Sequence, residues 1–113
     1  MNPRLHEIVT DCADPTALAR FWAGVFHTSP VLRTRDWTHV ECEGTRTRLA
    51  FQRVPEPKVT KNRVHLDVEV DDIDAERARL VALGATAVGP VVDDEDGPFQ
   101  VMADPEGNEF CLV

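Results

Sequence analysis

The order of elements readable from this chain occurs twice, and that repeat constrains the fold more than any single motif. In the first half, Leu5 to Thr10 alternates in character as a strand does, with Leu5, Glu7 and Val9 on one face and His6, Ile8 and Thr10 on the other. Asp14-Pro15 is a helix start, with Asp14 as N-cap and Pro15 in the first turn. Leu18, Phe21, Trp22 and Val25 follow at i, i+3, i+4 and i+7, a stripe that a helix buries. Val31 to Arg33, Trp37 to Cys42 and Arg46 to Val54 read as three further strands, the last two joined by the Glu43-Gly44-Thr45 turn. Pro55-Glu56-Pro57-Lys58 is a short polar linker.

The second half repeats this order. Val64 to Val70 alternates as a strand, Asp72 or Asp74 caps a helix running to about Leu83, and Gly84 stops it. Ala75, Ala78 and Ala82, with Ile73 and Leu83, are the expected buried face of this helix. Ala87 to Val92, Phe99 to Ala103 and Phe110 to Val113 complete three strands. The turn before the last strand, Asp-Pro-Glu-Gly-Asn at 104–108, has a mechanism. Pro105 fixes one φ, Gly107 or Asn108 can take φ > 0, and Asp104 can bond its own backbone. A shift of 59 residues places His6 on His65, Val9 on Val68, Phe51 on Phe110 and Gln52 on Cys111. A repeat this long indicates two copies of one supersecondary unit. Each sheet needs one face for its helix. The other would be bare unless it curves around a cavity, so that face is where function is sought.

Composition narrows the function classes. Twenty acidic residues against 12 basic ones give a formal net charge of −8, which argues against nucleic acid or an anionic membrane as partner. Cys12, Cys42 and Cys111 are an odd count without CxxC spacing, so neither a disulfide framework nor a structural zinc site is expected, and a reducing compartment fits. No apolar leader or membrane-length run is seen, and the cytoplasm is the expected location. Ser29 is the only serine and precedes a proline, without a nucleophile elbow; no phosphate loop or dinucleotide fingerprint occurs, so no nucleotide cofactor is expected.

Four stretches in this order carry a resemblance: Asp11 to Trp22, His65 to Asp72, Leu83-Gly84-Ala85, and Asp104 to Val113. Together they resemble the vicinal oxygen chelate superfamily, and within it the glyoxalase-like domain group related to bleomycin-resistance proteins and dioxygenases. The resemblance covers essentially the whole chain. It implies an α+β fold of two tandem βαβββ modules, 1–57 and 62–113, forming one domain: a cup-shaped, partly open mixed sheet with a helix on the outer face of each module. It also implies a homodimer and one divalent metal ion, chelated by two neighbouring oxygens of a small substrate.

Carried over position by position, the family's metal ligands fall on His6, Gln52, His65 and Cys111. Imidazole suits zinc, nickel or iron; a glutamine is a weak ligand, and a thiolate suits zinc or iron. The glutamates of a glyoxalase I, one of which is its proton-transfer base, are replaced here by Gln52 and Cys111. Alternation puts Asp67 and Glu69 on the face of His65, and Glu109 on the face of Cys111, each step of two residues being about 7 Å along the strand. Asp67 and Glu109 are thus candidate catalytic carboxylates, with Arg48, Trp37 and Glu69 as candidate substrate contacts; a polar lining and paired charges are the plainer alternatives. His27 and His39 receive no role. Three functions follow. The first is a metal-dependent lyase, isomerase or dioxygenase-type enzyme acting on a small oxygenated metabolite. The second is a metal-free protein that sequesters a small molecule. The third is a metal-free enzyme with Asp67 or Glu109 as base.

Overall fold

A computed structural model of the protein describes residues 2–113. The chain runs β1 (Glu7–Cys12), α1 (Pro15–Val25), β2 (Val31–Thr34), β3 (Trp37–Glu41), β4 (Arg48–Arg53), β5 (Leu66–Val68), α2 (Ile73–Leu83), β6 (Thr86–Asp94), β7 (Gly97–Ala103) and β8 (Glu109–Leu112). It divides into two compact units, one ending at Pro57 and one spanning Lys58–Val113. Each unit is a βαβββ module with its own four-stranded mixed sheet, ordered β1-β4-β3-β2 and β5-β8-β7-β6. The outer strand pairs parallel to the last strand of its module, and the remaining pairs are antiparallel. This is the α+β class that the resemblance implies.

In the first module the Asp14 carboxylate accepts from the Ala17 N–H at 3.1 Å, which satisfies one of the donors a helix start leaves free. Leu18, Phe21, Trp22 and Val25 are all buried, as the stripe requires. Phe21 meets Trp22 edge-on with ring centroids 5.4 Å apart. The helix packs on β3 and β4, where Thr38 Oγ1, fully buried, donates to the Pro15 carbonyl at 2.8 Å. Leu49 and Phe51 of β4 face this helix. Arg48, Ala50 and Gln52 alternate onto the opposite, open face.

In the second module Asp72 is the N-cap, accepting from Ala75 N–H at 3.1 Å, and Gly84 closes the helix at φ 119°, a conformation glycine takes without Cβ strain. The expected alanine face is not the buried one. Ala75, Ala78 and Ala82 are exposed, Leu80 is fully buried, and Ile73, Glu76 and Arg77 are half-buried. Each alanine offers only a methyl of apolar area, less than the leucine at position 80 that the helix buries instead. Arg77 then reaches inward, donating to Gln100 Oε1 at 3.0 Å. Gln100, 1% exposed, uses its amide to donate to the carbonyls of Gly89 (3.0 Å) and Val101 (2.9 Å). The Gly89 carbonyl lies where the β6–β7 register shifts between Val88 and Val92, a break helped by Gly89 at φ 71° and Pro90. The turn before β8 has the expected chemistry. Gly107 takes φ 84°, and Asp104 Oδ1 accepts from the N–H groups of Glu106 (2.9 Å) and Asn108 (3.0 Å).

The register of the repeat differs from the one read off the sequence. In the last strands Gln52 corresponds to Cys111, a shift of 59. Their parallel partners are Asp11 and Asp67, a shift of 56. The backbone bonds agree: Val54 N–H donates to the Cys12 carbonyl and Val113 N–H to the Val68 carbonyl, both at 2.9 Å. On this register His65 corresponds to Val9, and His6 corresponds to Asn62. The difference of three residues is odd, so it reverses which face each side chain takes. Ile8, Thr10 and Cys12 point toward the helix side with increasing burial, while Glu7, Val9 and Asp11 share the open face with Arg48, Ala50 and Gln52. The two faces of the first strand group as read, with Glu7 and Val9 rather than Ile8 and Thr10 on the open face, and the strand begins at Glu7 rather than Leu5. In the second module the expected strand from Val64 to Val70 shrinks to Leu66–Val68. Ahead of it, a side chain takes over from the backbone: Asn62 Oδ1 accepts from Glu109 N–H at 2.9 Å and Asn62 Nδ2 donates to the Glu109 carbonyl at 3.2 Å.

Candidate functional site

The open face of the second module holds a cavity of about 410 Å³, within the range of small-molecule sites. Phe99, Val101 and Val113 give it an apolar wall, and His65, Asp67, Asp94, Asp96, Glu109, Cys111 and Lys61 give it polar groups. Strand alternation puts them there. Phe110 and Leu112 are buried on the helix side, so Glu109, Cys111 and Val113 take the other side. Asp67 pairs directly with Cys111 across the parallel ladder, and Val101 flanks Cys111 on β7.

Three donors converge here. The ligand atoms of His65, Asp67 and Cys111 lie within 4.8 Å of one another, with His65 Nε2 3.3 Å from Asp67 Oδ1. His65 and Asp67 are exposed to solvent and Cys111 is half-buried. Burial, and secondarily the Asp67 charge, push the Cys111 thiol above its ordinary range, against a weaker opposing pull from Lys61. A cation binding here would displace that proton. Nitrogen, sulfur and oxygen donors together suit zinc, iron or nickel better than magnesium or calcium, and three protein ligands leave positions open for a substrate.

Glu109 lines the same cavity with a different attachment. Its Oε2 accepts from Asn62 N–H at 3.3 Å and its Oε1 lies 3.7 Å from Lys58 Nζ. Burial raises the carboxyl's pKa, but the N–H groups of Glu109 and Asn62 and the charges of Lys58 and Lys61 outweigh it, so the net shift is downward. Glu109 is thus held ionised. Glu69 is exposed and does not line the cavity.

In the first module, Gln52 is half-buried on the open face, in register with Asp11 and Trp37. Trp37 is half-buried, and the Arg33 guanidinium carbon sits 5.1 Å from its ring centroid, a cation–π distance. Arg48 is paired: its Nε lies 3.2 Å from Glu7 Oε1, which also meets Arg33 Nη2 at 3.1 Å. His6 is exposed, with its Nε2 3.0 Å from Arg48 Nη2. The residue that sequence reasoning passed over is His39. It is 4% exposed, its Nε2 lies 3.4 Å from Arg48 Nη1, and its Nδ1 is buried without a hydrogen-bond partner among the described residues. Leaving a buried polar atom unpaired costs roughly 1–3 kcal/mol. Burial, then the charges of Arg48 and Arg33, push the His39 pKa below its usual value. Its position in alternation with Trp37 and Glu41 on β3, one face of a strand opposite arginine, was the available signal.

Among the described residues no helix is long and apolar enough to cross a membrane. The profile of the glyoxalase-like domain matches residues 7–113. No match is found among curated protein sequences. Solved structures resemble the fold closely. A glyoxalase/bleomycin resistance protein/dioxygenase family enzyme from Burkholderia phytofirmans superposes with a TM-score of 0.83 at 18% identity, over 97% of each chain. A glyoxalase-related enzyme from Fulvimarina pelagi gives 0.76 at 24% identity, over 96% of this chain and 86% of the other. The fosfomycin resistance protein FosX from Mesorhizobium loti gives 0.74 at 20% identity, over 99% and 91%. With nearly its whole length matched and both modules in the expected topology, the chain belongs to the glyoxalase-like domain family of the vicinal oxygen chelate superfamily.

Proposed function

We propose that the protein is a divalent-metal-dependent, glyoxalase-like enzyme acting on a small oxygenated metabolite, with its chemistry centred on the second module. The observation that carries this reading is the convergence of His65, Asp67 and Cys111 within 4.8 Å on the wall of a cavity. Gln52 and His6 have only the family's ligand pattern behind them. The reading takes residues 1–113 as one domain of two modules, working as a homodimer in the cytoplasm, and an odd count of three cysteines without CxxC spacing is consistent with a reducing compartment.

When bound at such a donor set, a divalent ion supplies Lewis acidity to a substrate oxygen. The protein's own contributions are separable. The apolar wall of Phe99, Val101 and Val113 receives the body of the substrate and excludes water from one side. Asp67, exposed beside His65, is the carboxylate placed to accept a proton from substrate. Glu109, held ionised by Asn62 and Lys58, fixes the polar rim. Arg48, Trp37 and Glu69 are the weaker assignments: Arg48 is engaged by Glu7, and Glu69 stands outside the cavity.

The test is metal content by mass spectrometry on untagged protein purified without chelator. One ion of zinc, nickel or iron per chain is expected, lost in His65→Ala and in Cys111→Ser. Affinity should rise with pH, because the thiol of raised pKa must lose its proton to bind. No metal after reconstitution, or full metal in His65→Ala, overturns the reading. Glu109's engagement with Asn62 and Lys58 favours a second reading, a non-catalytic protein that sequesters a small molecule. A ligand that raises the melting temperature of metal-free protein and is released unchanged supports that one instead.

A further inference from the structure

On the open face of the first module, four side chains of metal-ligand type surround one guanidinium. Arg48 Nη2 lies 3.0 Å from His6 Nε2, and Nη1 lies 3.4 Å from His39 Nε2. Nε donates to Glu7 Oε1 at 3.2 Å, and Glu41 Oε1 stands 4.0 Å from Nη1 and 3.8 Å from His39 Nε2. An arginine side chain is always charged and has only donors to offer. Both imidazoles must therefore present a lone pair at Nε2 and carry their proton on Nδ1. Two neutral imidazole nitrogens and two carboxylates, each turned toward one positive charge, are also the donors a divalent transition ion selects. The second observation is His39 itself. Its side chain is 5% exposed, its Nδ1 has no hydrogen-bond partner among the described residues, and its Nε2 faces the guanidinium.

We propose that Arg48 is the resident cation of a metal-type ligand cage in the first module, its guanidinium standing where a divalent ion would otherwise be held by His6, His39 and Glu7, with Glu41 at the rim. Arg48 is 24% exposed at its side chain and bonded along three of its edges, so it blocks the cage rather than sharing it. Metal–nitrogen bonds are about 2.0–2.1 Å, so the donors must close inward once the guanidinium is removed. His6 is exposed and Glu41 is 69% exposed at its side chain, and both have room to do so. His39, fixed by burial, would set the centre. In the native protein the consequence is that the first module takes up no ion of its own.

The experiment is a Co(II) titration followed by visible absorption, in the full chain carrying His65→Ala and Cys111→Ser so that the second module's donors contribute nothing. With Arg48 present, no d–d band is expected. With Arg48→Ala, a band should appear and saturate at one ion per chain, and adding His39→Ala should remove it. Arg48→Lys keeps a cation in the cage and should stay silent. A silent Arg48→Ala, or a band that survives His39→Ala, overturns the proposal. Should Arg48→Ala fail to fold, Arg48→Met keeps the aliphatic stem against the sheet and is read in the same way. Nitrogen-15 NMR of the unaltered protein gives an independent reading: His39 should be the Nδ1–H tautomer, and an Nε2–H tautomer there overturns the cage outright.

Discussion

The first module holds seven acidic and seven basic residues, the second thirteen acidic and five basic, so the whole formal charge of −8 falls on the second. Their helices differ as much. The first buries Leu18, Phe21, Trp22 and Val25, whereas the second fully buries Leu80 alone. Yet the strand order and the pattern of parallel and antiparallel pairs are the same. What the two modules share is narrower than a hydrophobic stripe: a capping aspartate at each helix start, a phenylalanine at the same rung of the last strand, and the parallel pairing beside it. Around this shared set, helix surface, charge and the open face diverge.

The sharpest way to break this comparison is at the shared phenylalanines. Phe51 and Phe110 are each 1% exposed at corresponding positions. Phe51→Ala and Phe110→Ala should each cost about 3–5 kcal/mol in chemical denaturation. A much smaller loss at Phe110 would mean that the second core does not rest on its aromatic as the first does. The caps come next. Asp14→Ala and Asp72→Ala should each cost about 1 kcal/mol, equally in both modules, measured by the same unfolding curves.

The smallest expected effect separates the modules by pH. The folded pKa of His39 lies below its ordinary 6.5, so below that pH the unfolded chain takes up a proton the folded chain refuses. Stability should fall as pH drops from 6.5 toward the folded value, and that slope should vanish in His39→Gln. Glu109 is lowered from 4.5, so its contribution is fully present above 4.5 and is lost as pH falls through the folded value. Acid should therefore weaken the first module before the second. Loss of the Glu109 contribution at the higher pH would invert this order.

Helix starts, the Asp104–Asn108 turn and the buried faces of Leu49, Phe51 and Phe110 were legible in the sequence, because each rests on local chemistry or on a strong two-residue alternation. The phase of the first strand was not. His6 and His65 invite a match, but alternation fixes which residues share a face and not which face it is, and the loops that follow the two outer strands differ in length. The second helix failed for another reason: its alanines follow a helical period without the apolar area to enforce it. His65, Asp67 and Cys111 were each named from the sequence, and their meeting at one point depends on the 56-residue register that only the ladder shows. The cage draws donors from β1, β3 and the residue before β1 around an arginine on β4, a grouping no one-dimensional spacing reveals.

The side-chain amide of Asn62 is a short piece of peptide geometry placed beside Glu109. It gives the second module the last rung of a ladder without committing the backbone of residue 62 to a strand. Hydrogen exchange of the Glu109 amide should therefore speed up when Asn62 is replaced by alanine. Chemical conversion of that amide to a carboxylate would set two negative charges against each other at the rim of the cavity, so the ageing of a single asparagine would register there first.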